Sequence, residues 1–218
     1  SAVMKDPTTY EHINPELVGN NRKILVSNQA GKSNLLSRLE SIGMDINRDD
    51  KRINTLLEIV KEKEFQGYSY DGAGASFEIL AKNVLDQVPS FFSVENYEVT
   101  IAGAKDKSSR SKATISINVD DRIIKSVGKG NGPVNALDNA LRKDLGIYNK
   151  YIQDLILVDY KVRILDGGTE AITRVVIESS DSKNQSWFTV GISPNIIEAS
   201  FEALMDSINY KLIKSDIK

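Results

Sequence analysis

One pattern occurs twice in this chain. Residues 126–141 are echoed without a gap at 189–204, and each copy has Val-Gly at a predicted strand end, a loop with Pro and Asn, and a helical pattern of alanines and leucines. Val190 follows Val127 by 63 positions (190 − 127), and Tyr160 follows Tyr97 by the same number (160 − 97). Equal spacing at both ends indicates a duplicated structural unit, so the fold must contain one arrangement twice.

Each copy contains three runs of alternating apolar and polar residues, which is typical of strands with one buried face. In the first copy these runs fall at 97–101, 113–119 and 123–127, and a helix is predicted over 133–144. Pro133 lies in the first turn of that helix, where a missing N–H is tolerated. The second copy predicts strands at 155–165, 171–178 and 186–190 and a helix over 194–210. The sequence therefore predicts two βββα units, at about 95–148 and 155–213.

The first 66 residues follow a different pattern. They predict a loop over 1–22, a short strand at 23–26, and two helices. The first helix is capped by Ser27 or Asn28 and ends near Gly43, and the second covers 49–63. A further helix is predicted over 73–85. The predicted fold class is α+β, with mostly helical linker subdomains at 1–66 followed by a domain of two βββα units at 67–218.

Composition excludes several classes of function. Lys plus Arg number 28 and Asp plus Glu 30, which gives a formal net charge of −2, and no dense basic block is present. Nucleic acid is therefore not an expected partner. The absence of cysteine excludes disulfides, thiolate catalysis and Cys-based zinc sites. His12 is the only histidine, so no metal site is predicted. Without a run of about 18 apolar residues or a signal-peptide pattern, we expect a cytoplasmic protein with no membrane partner.

The βββα pattern also predicts self-association. A single helix covers only part of the sheet face that each unit marks as apolar. Two units, and two copies of the chain, would bury this surface more completely, so we expect a homodimer.

Two short motifs suggest a ligand site. In Gly130-Asn131-Gly132-Pro133, flanking glycines at a helix N-terminus let backbone N–H groups approach a carboxylate, although a simple tight turn explains the motif equally well. Tyr70-Asp71 supplies a phenol and a carboxylate ahead of another helix, where an Asp is more often a cap. Together the two motifs offer partners for both charged ends of a free amino acid.

Four runs resemble the sequence that follows the catalytic barrel in citramalate synthases. They are 2–20, with Tyr-Glu-His-Ile-Asn-Pro at 10–15; 130–143; 159–167, which reads Asp-Tyr-Lys-Val-Arg-Ile-Leu-Asp-Gly; and 187–210, with Thr-Val-Gly at 189–191 and Asn-Ile-Ile-Glu-Ala-Ser at 195–200. The resemblance extends over essentially the whole chain.

The resemblance implies a parent enzyme related to isopropylmalate synthases. In this family a (β/α)₈ barrel holds a divalent metal and condenses acetyl-CoA with a 2-keto acid, which is pyruvate in citramalate synthases. Linker subdomains and a paired βββα regulatory domain follow. The chain resembles everything except the barrel, so it is expected to be a C-terminal fragment without a cofactor or activity of its own, with the barrel of the same enzyme as a partner.

The resemblance also assigns roles to individual residues. Tyr10 and His12 match the linker motif that approaches the partner subunit's barrel, which makes them accessory catalytic residues of the intact enzyme. Tyr70, Asp71, Pro133 and Asn135 match the effector-binding positions of the family, near the dimer interface, and the glycine motif described above adds Gly132 as the candidate for the carboxylate. The leading hypothesis is an isoleucine-sensing region of a citramalate synthase in isoleucine biosynthesis. The alternatives are a leucine-sensing region of a 2-isopropylmalate synthase and a βββα interaction module without a ligand.

Overall fold

A computed structural model describes residues 31–85, 88–103, 109–165, 171–215 and 217. The chain divides into two compact parts, Ser1–Phe65 and Gln66–Lys218. The predicted loop at 1–22, the strand at 23–26, and Tyr10 and His12 lie outside the described residues. No described helix is long and apolar enough to cross a membrane.

The N-terminal part contains two amphipathic helices. Helix α1 is Lys32–Ser41 and helix α2 is Lys51–Phe65. Their buried faces carry apolar residues at helical spacing, with Leu35 and Leu39 on α1 and Ile53, Leu56 and Val60 on α2.

The predicted ends of α1 are half right. Gly43 adopts a left-handed backbone with φ +79° directly after the helix, as expected of a glycine stop. The predicted cap at Ser27 or Asn28 is wrong, because the N-cap is Gly31 and makes no side-chain cap. The helix begins later because the extended Gly31 offers its carbonyl to the backbone N–H of Asn34 at 3.0 Å.

The C-terminal part follows the predicted order of elements. A 3₁₀ turn, Tyr70–Gly72, precedes helix α3, Gly74–Val84. The first repeat consists of β1 (Ser93–Gly103), β2 (Ser109–Val119), β3 (Arg122–Gly130) and helix α4 (Pro133–Lys143). A 3₁₀ turn, Gly146–Tyr148, and a short helix α5, Asn149–Ile152, follow it. The second repeat consists of β4 (Ile156–Ile164), β5 (Thr173–Ser180), β6 (Ser186–Ser193) and helix α6 (Ile196–Lys214).

The strands form two antiparallel three-stranded sheets, in the orders β1-β2-β3 and β4-β5-β6. The register aligns Tyr97 with Ile115 in the first sheet and Tyr160 with Ile177 in the second. The first strand of each repeat also contains an irregularity at the same place, between Val94 and Asn96 and between Leu157 and Asp159. The α+β class and the duplicated βββα pattern are confirmed. The shared irregularity shows that the duplication extends to the details of strand pairing.

Each helix lies on its own sheet at close range, which small residues make possible. A Cβ on Gly128 would lie 2.3 Å from the Ala136 carbonyl oxygen, and a Cβ on Gly191 would lie 2.0 Å from the Ala199 carbonyl oxygen. The strand face beneath each helix is fully buried, with Ala113, Ile115 and Ile117 in the first sheet and Val175 and Ile177 in the second.

An aromatic contact joins the two repeats. The ring of Tyr97 on β1 stacks on Phe201 of α6, with centroids 4.4 Å apart. Within the second repeat, the hydroxyl of Tyr160 on β4 lies 2.8 Å from Ser200 Oγ of α6. The C-terminal part therefore shares one core, which contains residues from both sheets and both helices.

Candidate functional site

The turn that carries Tyr70 and Asp71 has a buried aromatic anchor and an exposed carboxylate. Tyr70 is 2% exposed, stacks on Tyr68 with centroids 5.9 Å apart, and meets Phe77 edge-on at 6.0 Å. Asp71, the next residue, is exposed. The geometry therefore holds a carboxylate at the surface on a rigid support.

Asp71 does not cap α3. The N-cap of that helix is Ala73, which makes no side-chain cap, and Asp71 lies inside the preceding 3₁₀ turn. The interpretation of Asp71 as a helix cap is thus wrong, because the chain makes a separate turn before the helix begins.

Two hydrogen bonds attach this region to the second repeat, and a third, inside that repeat, fixes the acceptor of one of them. The Tyr68 hydroxyl donates to Glu202 Oε1 at 2.5 Å, and the other oxygen of that carboxylate accepts from the backbone N–H of Ile192 at 3.0 Å. Arg174 Nε donates to the Gly67 carbonyl at 2.6 Å. Burial, followed by the hydrogen bond to the negatively charged Glu202, raises the pKa of Tyr68 above its ordinary value, so the phenol remains a donor.

Helix α3 completes the attachment. Ser76 Oγ donates to Asp206 Oδ2 at 2.5 Å and accepts from the backbone N–H of Val190 at 3.0 Å. Strand β6 lies at the edge of its sheet, and two of its amide groups, those of Val190 and Ile192, are thus bonded by side chains. This edge is less available for pairing with another strand.

The second predicted motif lies at the start of α4. Gly132 is the N-cap with extended backbone, Pro133 follows in the first turn, and the Gly132 carbonyl accepts from the Ala136 N–H at 2.9 Å. A Cβ on Gly130 would lie 2.5 Å from Asn135 Oδ1, whereas a Cβ on Gly132 would have no neighbour within 4 Å. Gly130 therefore serves the tight packing of the turn, and the space beside Gly132 is open.

Asn135 also lines a cleft of about 520 Å³ between α4 and β4. Asp138, only 6% exposed, forms an ion pair there with Arg142, whose Nη1 donates to the Leu155 carbonyl at 2.5 Å. The lining combines polar and apolar side chains, namely Val134, Asn135, Asp138, Asn139, Arg142, Leu155, Ile156, Leu157 and Tyr160.

The structure brings some of the predicted site residues together. Gly132, Pro133 and Asn135 are neighbours in the first turn of α4, while Tyr70 and Asp71 lie on the turn attached to the second repeat. The cleft lining includes Asn135 but neither Tyr70 nor Asp71. That all five form one pocket stays a prediction. Among the described residues, no group of three or more His, Cys, Asp or Glu side chains is placed to hold a metal ion.

Sequence reasoning missed the residues that hold these motifs in place. Glu202 and Arg174 contact residues 134 and 107 positions away, and no local pattern reports such contacts. A comparison of the two copies could have identified Asp138. The second copy has Phe201 at the corresponding position, and a charged residue in place of an aromatic one indicates a local difference between the copies.

Two family models match the chain. Residues 71–212 match the LeuA allosteric (dimerisation) domain, and residues 1–67 match the homocitrate synthase post-HMGL domain-like family. The two matched stretches follow one another along the chain.

Curated relatives cover nearly the whole chain. The (R)-citramalate synthase of Aquifex aeolicus is 47% identical over 99% of this chain and 41% of its own length. The (R)-citramalate synthases of Geobacter sulfurreducens and Synechocystis sp. are both 45% identical, over 99% and 97% of this chain. The chain spans about two fifths of the length of these relatives. By these matches and by its duplicated βββα fold, the chain belongs to the LeuA allosteric (dimerisation) domain family.

Proposed function

We propose that this chain is the regulatory and dimerisation region of a citramalate synthase and that its effector is isoleucine. The observation that carries the proposal is the similarity over 99% of the chain to proteins named (R)-citramalate synthase. The condensation of acetyl-CoA with pyruvate would belong to the intact protein, in which Tyr10 and His12 would assist the barrel.

The geometry supports recognition of a free amino acid. Asp71 is an exposed carboxylate on a rigid turn and is suited to an ammonium group. The open space at Gly132 lies at the N-terminus of a helix of 11 residues, where backbone N–H groups and the helix dipole favour a carboxylate.

Homodimer formation is supported by apolar side chains left at the surface. Ile101 on β1 is 57% exposed, and Ile164, its counterpart on β4, is 70% exposed. Val162 on β4 is 39% exposed. Strand positions of this kind are covered when a second copy packs against them.

Calorimetric titration with isoleucine and with leucine tests the proposal. Alanine is the control, because it has the same α-amino and α-carboxylate groups but lacks the larger aliphatic side chain. We expect isoleucine to bind and leucine to bind more weakly. The reverse order would favour a leucine-sensing region of an isopropylmalate synthase. No heat from either ligand up to millimolar concentration would indicate a βββα module without this ligand. Sedimentation on the same samples tests dimerisation, and a monomer at high micromolar concentration would contradict it.

A further inference from the structure

The loop between β3 and α4 contains the only Asn-Gly pair in the sequence, Asn131-Gly132. Asparagine is chemically labile, and its side-chain amide is attacked most readily when the next residue is glycine, because no side chain then hinders the backbone nitrogen. Strand β3 ends at Gly130 and Gly132 is the N-cap of α4, so Asn131 belongs to neither element. Asn131 is exposed, and its side chain makes no hydrogen bond with a described residue.

The attacking atom in this reaction is the backbone nitrogen of Gly132. Gly132 is extended, with φ −148° and ψ 169°, and its N–H makes no hydrogen bond within the part of the chain that the structure describes. A Cβ on Gly132 would have no neighbour within 4 Å, so there is room beside it for the Asn131 side chain to fold back. The turn therefore leaves both reacting groups accessible.

Two nearby asparagines lack this combination. Asn135 and Asn139 are also exposed, but both lie inside α4 and are followed by alanine. The nitrogen that follows Asn135, which is that of Ala136, donates to the Gly132 carbonyl at 2.9 Å. The nitrogen that follows Asn139 lies further inside the helix, where backbone amides are bonded to carbonyls one turn earlier. Exposure is thus shared by the three asparagines, whereas an unengaged nucleophile is found beside Asn131.

We propose that Asn131 is a site of spontaneous deamidation. The Gly132 nitrogen loses its proton and forms a bond to Asn131 Cγ, while the Cγ–Nδ2 bond breaks and Nδ2 leaves with a proton as ammonia. Water then opens the resulting succinimide ring, adding its hydroxyl to a carbonyl carbon and its hydrogen to the ring nitrogen. Addition at Cγ gives aspartate. Addition at the main-chain carbonyl carbon gives isoaspartate, in which the backbone runs through Cβ and Cγ of residue 131.

The two products act differently on the turn. Both place a negative charge next to the N-terminus of α4, where the helix dipole favours it. Isoaspartate also lengthens the backbone beside Gly130, which packs closely on α4, since a Cβ there would lie 2.5 Å from the Ala136 nitrogen. We therefore expect isoaspartate to loosen the turn. Asn131→Asp, which reproduces the other product, should melt at the same temperature as the unaltered chain.

Incubation of the folded chain at mildly alkaline pH, followed by tryptic digestion and mass spectrometry, tests the proposal. Cleavage after Lys129 and Arg142 gives one peptide that contains Asn131, Asn135 and Asn139, so fragmentation assigns deamidation to each of them in the same sample. We expect Asn131 to lose its amide at least about ten-fold faster than the other two, because a nitrogen bonded inside a helix reacts only after local opening. Comparable rates at the three positions would overturn the proposal.

The same peptide, incubated free in solution, gives the rate without any protection by the fold. We expect the rate at Asn131 in the folded chain to lie within about ten-fold of the rate in the peptide, because a loop amide without a hydrogen bond needs little opening. A much slower reaction in the folded chain would show that the turn protects Asn131, and the proposal would then be wrong.

Gly132→Ala is the matched variant. Its methyl group has open space and alanine tolerates the extended backbone of Gly132, so the chain should fold, which thermal unfolding checks. Because the methyl group hinders the backbone nitrogen, deamidation at Asn131 should slow by about ten-fold or more. An unchanged rate in the folded variant would contradict attack by this nitrogen. Should the variant not fold, the comparison of the unaltered folded chain with the free peptide decides.

Discussion

The hydroxyl of Tyr68 and the carboxylate of Glu202 lie 2.5 Å apart, although 134 positions separate the two residues in the chain. The bond joins the turn before α3 to the helix of the second repeat. Since Tyr68 also stacks on Tyr70, the same side chain supports the turn that presents Asp71. The turn is therefore positioned by the second repeat rather than by its own sequence.

Replacing Tyr68 with Phe should loosen this attachment. A hydrogen bond to a charged group contributes about 1.5 to 3 kcal/mol when buried, and we expect about 1 kcal/mol here because the side chain is only half-buried. Urea denaturation measures the loss. The control is Tyr151→Phe, because the Tyr151 hydroxyl makes no hydrogen bond with a described residue. Equal stability of the two variants would show that the Glu202 bond does not hold the turn.

Asp71→Asn tests the proposed ammonium contact. The substitution keeps the shape and removes the charge, and a charge-assisted hydrogen bond contributes roughly 1.5 to 3 kcal/mol. We expect isoleucine affinity to fall by about one to two orders of magnitude, with an unchanged melting temperature. Calorimetry and thermal unfolding measure both quantities. Unchanged affinity would remove Asp71 from the site.

Gly128→Ala should be strongly destabilising. The added Cβ would lie 2.3 Å from the Ala136 carbonyl oxygen and 2.4 Å from the Ala140 nitrogen, so the helix itself would have to move. We expect a loss of about 3 kcal/mol or more in the free energy of unfolding. Gly103→Ala is the matched control, because a Cβ there has no neighbour within 4 Å. A loss below about 1 kcal/mol at Gly128 would contradict the close packing of α4 on β3.

The ion pairs of the buried Lys211 ammonium should make the free energy of unfolding depend on pH in the acidic range. It contacts Asp154 at 3.1 Å and Asp181 at 2.8 Å. Hydrogen bonds from Ser182 and Lys211 hold the pKa of Asp154 at about 2, below its ordinary value of 3.8. Burial would raise the pKa of Asp181, but hydrogen bonds from Lys211 and from backbone amides lower it.

A carboxylate whose pKa is lower in the folded protein than in the unfolded chain stabilises the fold at pH values above its unfolded-state pKa. This stabilisation disappears as the pH falls through its folded-state pKa. Asp154→Asn should therefore be less stable than the unaltered protein at neutral pH. The difference should shrink between about pH 4 and pH 2, as measured by urea denaturation across that range. Asp121→Asn, in the exposed turn between β2 and β3, is the control. A difference that stays constant down to pH 2 would contradict the assignment.

Much of the fold can be predicted from the sequence alone. The strand predictions at 113–119 and 123–127 fall within β2 and β3, and the helix predicted from Pro133 ends within one residue of its observed end. Helix α6 extends to Lys214, beyond the predicted end at 210. The added turn contains Lys211, whose partners Asp154 and Asp181 lie far away in the chain, and Leu212, which is fully buried.

The sequence by itself determined the hydrophobic period of each segment and the offset of 63 positions between the copies, and hence the two βββα units. This was possible because burial of one face of a strand or helix produces a pattern of apolar residues that are close together in the chain. Only the tertiary structure decided that Tyr97 stacks on Phe201 while Tyr160 borders an open cleft, and that Glu202 holds the turn of Tyr70 and Asp71. These contacts join residues that lie far apart in the chain. Their geometry depends on how the two repeats pack, and a local apolar pattern carries no information about that packing.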